Sequence, residues 1–328
     1  MSVTATRALG VGVPLSGAWA TPATQVRIAR QAEALGYQSL WTFTRLLFPM
    51  QSSDAEWSSD FQPAFHYGVA EPLITLGYLA GCTERIRLGI SVLNAPFFAP
   101  AVLAKQLIQL DRVSNGRLDA GLAQGWSEEE FRAVGLPMER RVARTLEYVE
   151  VLRRMWEQDQ AEFKGEFTEL PRTLVRPRPV QPVFPLLLGG STEKAWTRAG
   201  RLAQGWVSPG FVTVAEVSEA ASGVRAAAER AGRSPDDLRI VVRATVFLGP
   251  EHGSGRTLFH GSVAQIRSDI EHMHEAGATE VFLDFNFDPQ IVGPQADPVD
   301  SLSRVEEALG ELAPVTQPAA GQAPPPGP

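Results

Sequence analysis

Cysteine is almost missing from this chain. Cys82 is the single thiol in 328 residues, so no intramolecular disulfide and no cysteine-ligated metal cluster can form within it. Its place at the end of a helix pattern reads as that of a small buried hydrophobe. Lysine is confined to Lys105, Lys164 and Lys194. With a net charge of −7 and no basic tract, nucleic acid is not an expected partner. No apolar run approaches the roughly 20 residues of a membrane span. The opening MSVTATRALGVGVP lacks the charged and long apolar regions of a signal peptide, so the cytoplasm is the default compartment. The histidines are His66, His252, His260, His272 and His274. His272 and His274 lie two apart on a helix pattern and do not share a face, as metal ligands would. No Walker loop and no G-x-S-x-G elbow occur, and Gly10-Val11-Gly12 falls inside a strand pattern instead of opening a helix. Lacking a nucleophile or metal set, the chain would need a bound organic cofactor for difficult chemistry.

What the chain does have is alternation. Strand patterns fall at Leu9–Pro14, Gln38–Phe43, Ile86–Val92, Arg117–Leu122, Pro185–Leu188, Gly205–Ser208, Leu238–Leu248 and Glu280–Phe285. Helix patterns follow them, among them Pro22–Leu35 after the cap Thr21, Glu71–Cys82, and the amphipathic run holding Leu103, Ala104, Leu107 and Ile108. Ser127 with Glu130 three residues on reads as a capping box. Helices are also expected at Met138–Gln158, Thr192–Leu202, Val214–Ala231, Ser262–Ala276 and Val299–Leu312. Eight strands, each followed by a helix, predict an α/β fold: a closed (β/α)8 TIM barrel over residues 1–312, barrels of this kind needing about 250 residues. Residues 313–328 are proline-rich without apolar period and read as a disordered tail.

Two stretches exceed ordinary loop length. Arg45–Ala70 follows the second strand and carries Phe48, Trp57, Phe61, Phe65, His66 and Tyr67; it is either a loop packed on its own aromatics or a substrate wall. Asp159–Phe184 precedes the fifth strand and begins with a hairpin-like signal at Glu162–Phe167.

Ligands of α/β folds gather at the carboxyl ends of strands, and four such ends are unusual here. Leu188-Gly189-Gly190-Ser191-Thr192 joins a strand to a helix start, where glycines let backbone approach a ligand and first-turn amides can bind an anion. Ser208 and Gly210, one strand on, could complete that cradle. Gly121-Leu122-Ala123-Gln124-Gly125-Trp126 has small residues that leave room for a flat ring, with Trp126 as a wall. Gly89–Asn94 places Ser91, Val92 and Asn94 at the third strand end. Trp41-Thr42-Phe43-Thr44-Arg45 ends the second strand. Each has a plainer reading, as a turn, a cap or a solvated arginine.

Taken in order, these segments resemble the luciferase-like monooxygenase superfamily, nearest its coenzyme F420 (deazaflavin) branch. The resemblance rests on Gly36-Tyr37-Gln38-Ser39-Leu40-Trp41, Glu84–Gly89, Leu103-Ala104-Lys105-Gln106, Asp111–Leu118, Gly125–Phe131 and Leu187–Gly190. It implies a barrel with its site at the carboxyl end and a deazaflavin ring, or alternatively FMN, over the third and fourth strand ends. It implies a bulge with a non-proline cis peptide at Ser91-Val92, and a cofactor phosphate against Gly189, Gly190 and Ser191. The activity it implies is hydride transfer between F420 and a small organic substrate. The alternatives are an FMN-dependent monooxygenase using oxygen, and a barrel that binds cofactor without catalysis. Ser91, Val92, Asn94, Gln124, Gly125, Trp126, Gly189, Gly190, Ser191, Ser208 and Gly210 are the cofactor candidates. Trp41, Phe43, Thr44 and Phe48 are the substrate candidates, and Arg45, His66 and Glu130 the catalytic ones. Barrels of this family commonly dimerise, so a homodimer is a further expectation. The sugar-phosphate dehydrogenase branch carries an Asp-His pair where this chain has Thr44-Arg45, and an acid where it has Trp126. Oxidation of glucose 6-phosphate by that route is therefore not expected.

Overall fold

Eight short apolar strands, each too buried on both faces to stand at a sheet edge, solve the edge problem by closing on themselves. The computed structural model describes residues 7–49 and 68–314. The barrel strands are β1 (Ala8–Gly12), β2 (Ser39–Thr42), β3 (Arg87–Asn94), β4 (Leu118–Ala123), β7 (Leu186–Gly189), β8 (Gly205–Val207), β9 (Arg239–Thr245) and β12 (Glu280–Asp284). They run in that order round a closed barrel, β12 returning to β1. All eight neighbouring pairs are parallel. Outside the barrel lie the antiparallel hairpin β5 (Gln160–Lys164) and β6 (Glu169–Leu174), and the small pair β10 (Phe247–Leu248) and β11 (His260–Gly261).

The helices are α1 (Pro22–Ala34), α2 (Pro72–Ala80), α3 (Pro100–Val113), α4 (Glu128–Ala133), α5 (Arg141–Glu157), α6 (Glu193–Leu202), α7 (Val214–Arg230), α8 (Val263–Glu275), the single-turn α9 (Pro289–Val292) and α10 (Pro298–Leu312). Their apolar stripes face the barrel; α3 buries Leu103, Ala104, Leu107, Ile108 and Leu110. Thr21 caps α1 as read, accepting from the Thr24 amide. Among the described residues no helix is long and apolar enough to cross a membrane.

All eight strands and the hairpin fall where the sequence places them. Three local expectations change. The eleven-residue run Leu238–Leu248 is not one strand: the barrel ladder ends at Thr245, and Phe247 pairs instead with His260. The capping box at Ser127 is half made. Ser127 accepts from the Glu130 amide, but the Glu130 carboxylate turns away to the loop after β2. Cys82 is half-buried, not fully enclosed. The aromatic loop positions Trp57, Phe61, Phe65, His66 and Tyr67, and the tail from 315 onward, lie outside the described residues.

Strand side chains alternate in and out, so every second residue builds the barrel interior in layers. The floor, at the amino ends, is polar and fully paired. Arg239 Nη1 reaches Asp119 Oδ1 at 2.6 Å and its Nη2 reaches Glu280 Oε2 at 2.6 Å. Arg87 Nε donates to Asp119 Oδ2 at 2.8 Å, and Ser39 donates to Glu280. One layer up sits an apolar plug of Trp41, Leu187, Val207, Val241 and Phe282. Trp41 stacks on Phe282 at 5.2 Å between centroids, and its Nε1 donates to Glu280 Oε1 at 2.8 Å. The indole fits because Gly89 faces it, where a Cβ would collide with the ring; a Cβ on Gly10 would strike Ser39 Oγ and press on the indole edge at 3.0 Å.

Candidate functional site

Above the plug, at the carboxyl ends of the strands, lies a cavity of about 530 Å³. Its wall has two halves. β3, β4 and β7 contribute small residues and backbone; the segment after β2, β9 and the turn after β12 contribute rings, hydroxyls and two arginines; and the turn after β8 joins the halves with Ser208, Gly210 and Phe211.

On the first half, the β3–β4 ladder shifts register between Ile90 and Leu93, a bulge. The Ser91-Val92 peptide within it is cis, as the resemblance implied. The bulge needs glycine opposite it: a Cβ on Gly121 would strike the Ile90 carbonyl, and one on Gly189 would lie 3.2 Å from Val92 Cγ1. Gly190 takes φ 139°, a value side chains disfavour, and a Cβ there would lie 2.6 Å from Ala195 Cβ. Its carbonyl accepts from Trp206 Nε1 at 2.7 Å, which ties the turn to the next strand. The turn opens α6, whose first amides have no acceptor inside the helix; Thr192 caps it by accepting from the Ala195 amide. Ser208 Oγ accepts from the Arg243 amide at 2.9 Å and donates to the Pro209 carbonyl.

Most of the expected site residues come together on this wall. Phe43, Thr44, Arg45, Ser91, Val92, Asn94, Gln124, Gly125, Trp126, Gly189, Gly190, Ser191, Ser208 and Gly210 all line the cavity. Three do not. Trp41 is one layer too deep and fills the barrel as part of the plug, so it cannot wall a substrate. Phe48 is half-buried against the core and takes no part in the wall. Glu130 is fully buried behind the rim. Its Oε1 accepts from the Leu46 amide at 2.7 Å and its Oε2 lies 3.4 Å from Arg45 Nη1. Burial pushes its carboxyl above the usual range, against the pull of Arg45 and the Leu46 and Leu47 amides. Glu130 therefore positions Arg45, whose guanidinium lies 4.4 Å over the Trp126 ring at the cavity rim. His66 lies outside the described residues.

The second half of the wall holds residues that the sequence reading missed. Arg243 projects inward from β9 and donates through Nε to Asp284 Oδ2 at 2.6 Å. Asp284 Oδ1 in turn accepts from the Asn286 side chain at 2.7 Å. The guanidinium packs against Phe43 and Phe287, 4.7 and 4.8 Å from their centroids. Thr245, two residues on and on the same face, lines the cavity with Phe211 and Phe287. One signal was available: an arginine at inward parity in the apolar run Ile240-Val241-Val242-Arg243-Ala244-Thr245.

Comparison with known proteins agrees with this architecture. An F420-dependent glucose-6-phosphate dehydrogenase of Amycolatopsis mediterranei is 27% identical over 250 residues, 74% of this chain and 71% of that protein. An FMNH(2)-dependent dimethylsulfone monooxygenase of Pseudomonas putida is 27% identical over 232 residues, 65% of this chain and 62% of that protein. Among solved structures, an F420-dependent secondary alcohol dehydrogenase in complex with an F420-acetone adduct superposes with a TM-score of 0.74 at 16% identity. It covers 94% of this chain and 99% of its own, a likeness of fold. The family model for luciferase-like monooxygenase matches residues 3–253, and the chain is a member of that family.

Proposed function

We propose that this protein is an F420-dependent oxidoreductase that moves a hydride between the deazaflavin and a small organic substrate. The observation that carries the reading is the slot on the β3–β4–β7 half of the cavity. There the Ser91-Val92 bulge is packed on Gly121, which has no room for a Cβ, and the cavity wall is made of small residues and backbone at Ser91, Ala123, Gly125, Gly189 and Gly190. Such a slot suits a flat ring. The Gly189-Gly190 turn into α6 suits the anionic group at the ring's far end. A cavity of about 530 Å³ is in the range of small-molecule sites, which run from roughly 300 to 1,000 Å³.

When bound, the deazaflavin supplies a hydride donor or acceptor at a ring carbon. The chain's own residues do the rest. Ser91, Val92 and Asn94 would support one ring face. Gln124, Gly125 and Trp126 would border its edge. The backbone of Gly190 and Ser191, with Ser208 and Gly210, would hold the phosphate. Phe43 and Thr44 would border the substrate, and Trp126 with Arg45 would close the rim against water. Positioning and water exclusion are the main catalytic means this wall offers. The proposal does not extend to glucose 6-phosphate, because Thr44, Arg45 and Trp126 stand where the resemblance places that chemistry's acid and base residues.

The choice of F420 over FMN is supported by the resemblance at Gly125-Trp126-Ser127 and Leu188-Gly189-Gly190; the F420- and FMNH(2)-dependent relatives are equally identical to the chain. A second reading, an FMN-dependent monooxygenase using oxygen, is favoured by the dimethylsulfone monooxygenase relative. Titration of the full chain with reduced F420 and with reduced FMN, without air and followed by absorbance, separates the readings. We expect tighter binding of F420 and turnover at the same rate with and without oxygen. Activity that requires oxygen and inserts an oxygen atom into product would establish the second reading. Binding of a cofactor without turnover of any substrate would leave a barrel that only carries it.

A further inference from the structure

Buried polar atoms in folded proteins almost always have partners, because an unpaired one forgoes its bonds to water. Among the described residues, seven buried side-chain atoms have none, and three of them line this one cavity: Thr44 Oγ1, Thr245 Oγ1 and Arg243 Nη2. Arg243 Nη2 is ion-paired with the Asp284 carboxylate, so the two threonine hydroxyls are the atoms of this group left without a partner. Phe43 and Phe287 lie beside the guanidinium, their centroids 4.7 and 4.8 Å from it and 5.6 Å from each other, so they shield one side of it. Thr245, 3% exposed, stands beside it on the same face of β9. These atoms belong to the half of the mouth opposite the glycine slot.

The charge there is already balanced. Asp284 is buried and paired with Arg243, so an incoming carboxylate or phosphate would meet a spent cation and a buried anion. Around the unpaired donors the wall is aromatic: Phe43 and Phe287 lie 5.6 Å apart and Phe211 meets Phe287 edge-on at 6.2 Å. Donors without net charge, set in an aromatic collar, select a neutral acceptor on an apolar body.

We infer that the second half of the cavity is a substrate site for neutral, ring-bearing ketones and the corresponding secondary alcohols, with the substrate oxygen held by the Thr245 hydroxyl beside the Arg243–Asp284 pair. This rests on the proposed oxidoreductase reading, under which the substrate carbon next to that oxygen gains or loses the hydride. In the reducing direction the reduced deazaflavin would give up a hydride, a C–H bond would form as the carbonyl π pair moves onto oxygen, and that oxygen would take a proton from water while the oxidised ring releases one. The oxidising direction reverses each change.

The test measures binding by ligand-observed NMR to the full chain, with and without reduced F420. The probes are acetophenone and 2-acetylnaphthalene, the oxygen-free analogues ethylbenzene and 2-ethylnaphthalene, and the anions benzoate and 2-naphthoate. We expect each ketone to bind at least about three- to tenfold more tightly than its oxygen-free analogue, the size of one hydrogen bond. We also expect the anions to bind more weakly than the ketones. Thr245→Val should erase most of the ketone's advantage while leaving the oxygen-free analogue alone, and Thr44→Val reports on the neighbouring hydroxyl in the same way. Preference for the anions, absence of ketone binding, or a ketone advantage unchanged in Thr245→Val would each overturn the inference. The cofactor titration is a separate readout. Ketone binding with no affinity for F420 or FMN would leave this site and defeat the oxidoreductase reading. Cofactor binding with anion preference would do the reverse.

Discussion

The two ends of this barrel are built from the same alternating strands and come to opposite states. β9 shows it in one strand: Arg239 at the floor, Val241 in the plug, Arg243 and Thr245 at the mouth. At the floor every group meets an answer. Arg239 bonds two carboxylates, and Asp119 takes two arginines. Burial alone would lower the Arg239 affinity for protons, but Asp119 and Glu280 together push it higher. At the mouth, glycines leave space, hydroxyls have no partner, and one carboxyl is held high by burial. A paired floor stabilises the fold; an unpaired mouth keeps its bonding capacity for a ligand. The barrel thus places its strain-free polar network and its unmet polar groups at opposite ends, which is the division of stability and function expected of this fold.

The largest expected effect breaks the floor. Arg239→Met removes both hydrogen-bonded ion pairs and leaves Glu280 buried with no cation and Asp119 with only Arg87. Removing one partner of a buried network costs about 3–5 kcal/mol. Chemical denaturation should show a loss of that order. A loss below about 1 kcal/mol would mean that the floor is not what holds the barrel closed, and the contrast between the ends would fail.

Much of this contrast was legible in the sequence, but only in one dimension. The strands and their carboxyl ends could be read, because period-two runs bounded by glycine and polar turns mark both. That is why Ser91, Gln124, Gly189 and Gly190 were found together. Depth could not be read. Trp41 and Phe43 share a parity on β2, yet one is the plug and the other the wall, and only closure of the barrel decides which. Glu130 satisfied a local spacing rule and was read as a cap. Its real partners, Arg45 and the Leu46 amide, are some 84 residues away in the chain, and a buried carboxylate takes charged and amide donors over a solvated cap. Arg243 was passed over because its strand reads as apolar, although an inward arginine in such a strand must find a carboxylate or a ligand, and here it finds Asp284.

The second prediction sharpens the comparison through pH. Asp119 at the floor is pushed up by burial, but the guanidinium groups of Arg239 and Arg87 outweigh that and hold its carboxyl below the usual range. Its contribution is present above the ordinary carboxylate range and is lost as pH falls through its folded value. Glu130 runs the other way. Its folded value lies above 4.5, so the folded state binds the proton more tightly than the unfolded chain does. That contribution is present in acid and lost as pH rises through the folded value. Glu130→Gln should therefore gain on the native protein as pH rises from about 4 through the mildly acidic range, when denaturation midpoints of the two are compared. A difference that stays flat, or tilts the other way, would show that Arg45 fully compensates the buried carboxylate.

The smallest expected effect is the most direct comparison of the two ends, because it deletes the same atom from each. Ser39 Oγ at the floor donates to Glu280 and accepts from Trp41 Nε1 at 2.8 Å. Ser39→Ala takes one donor from the buried Glu280 carboxylate and leaves the indole N–H with Glu280 Oε1 as its one acceptor, and should cost about 1–3 kcal/mol. Thr245 Oγ1 at the mouth has no partner in the folded protein. Thr245→Val replaces it with a methyl of the same shape, so the fold gives up no hydrogen bond and no longer buries an unanswered hydroxyl. The ligand-free variant should equal the native protein in stability or exceed it by up to about 1 kcal/mol. Thermal denaturation of both variants, without cofactor, measures the pair. If Thr245→Val lost as much as Ser39→Ala, the hydroxyl at the mouth would be answered within the protein, by water or by chain, and the mouth would be as fully paired as the floor.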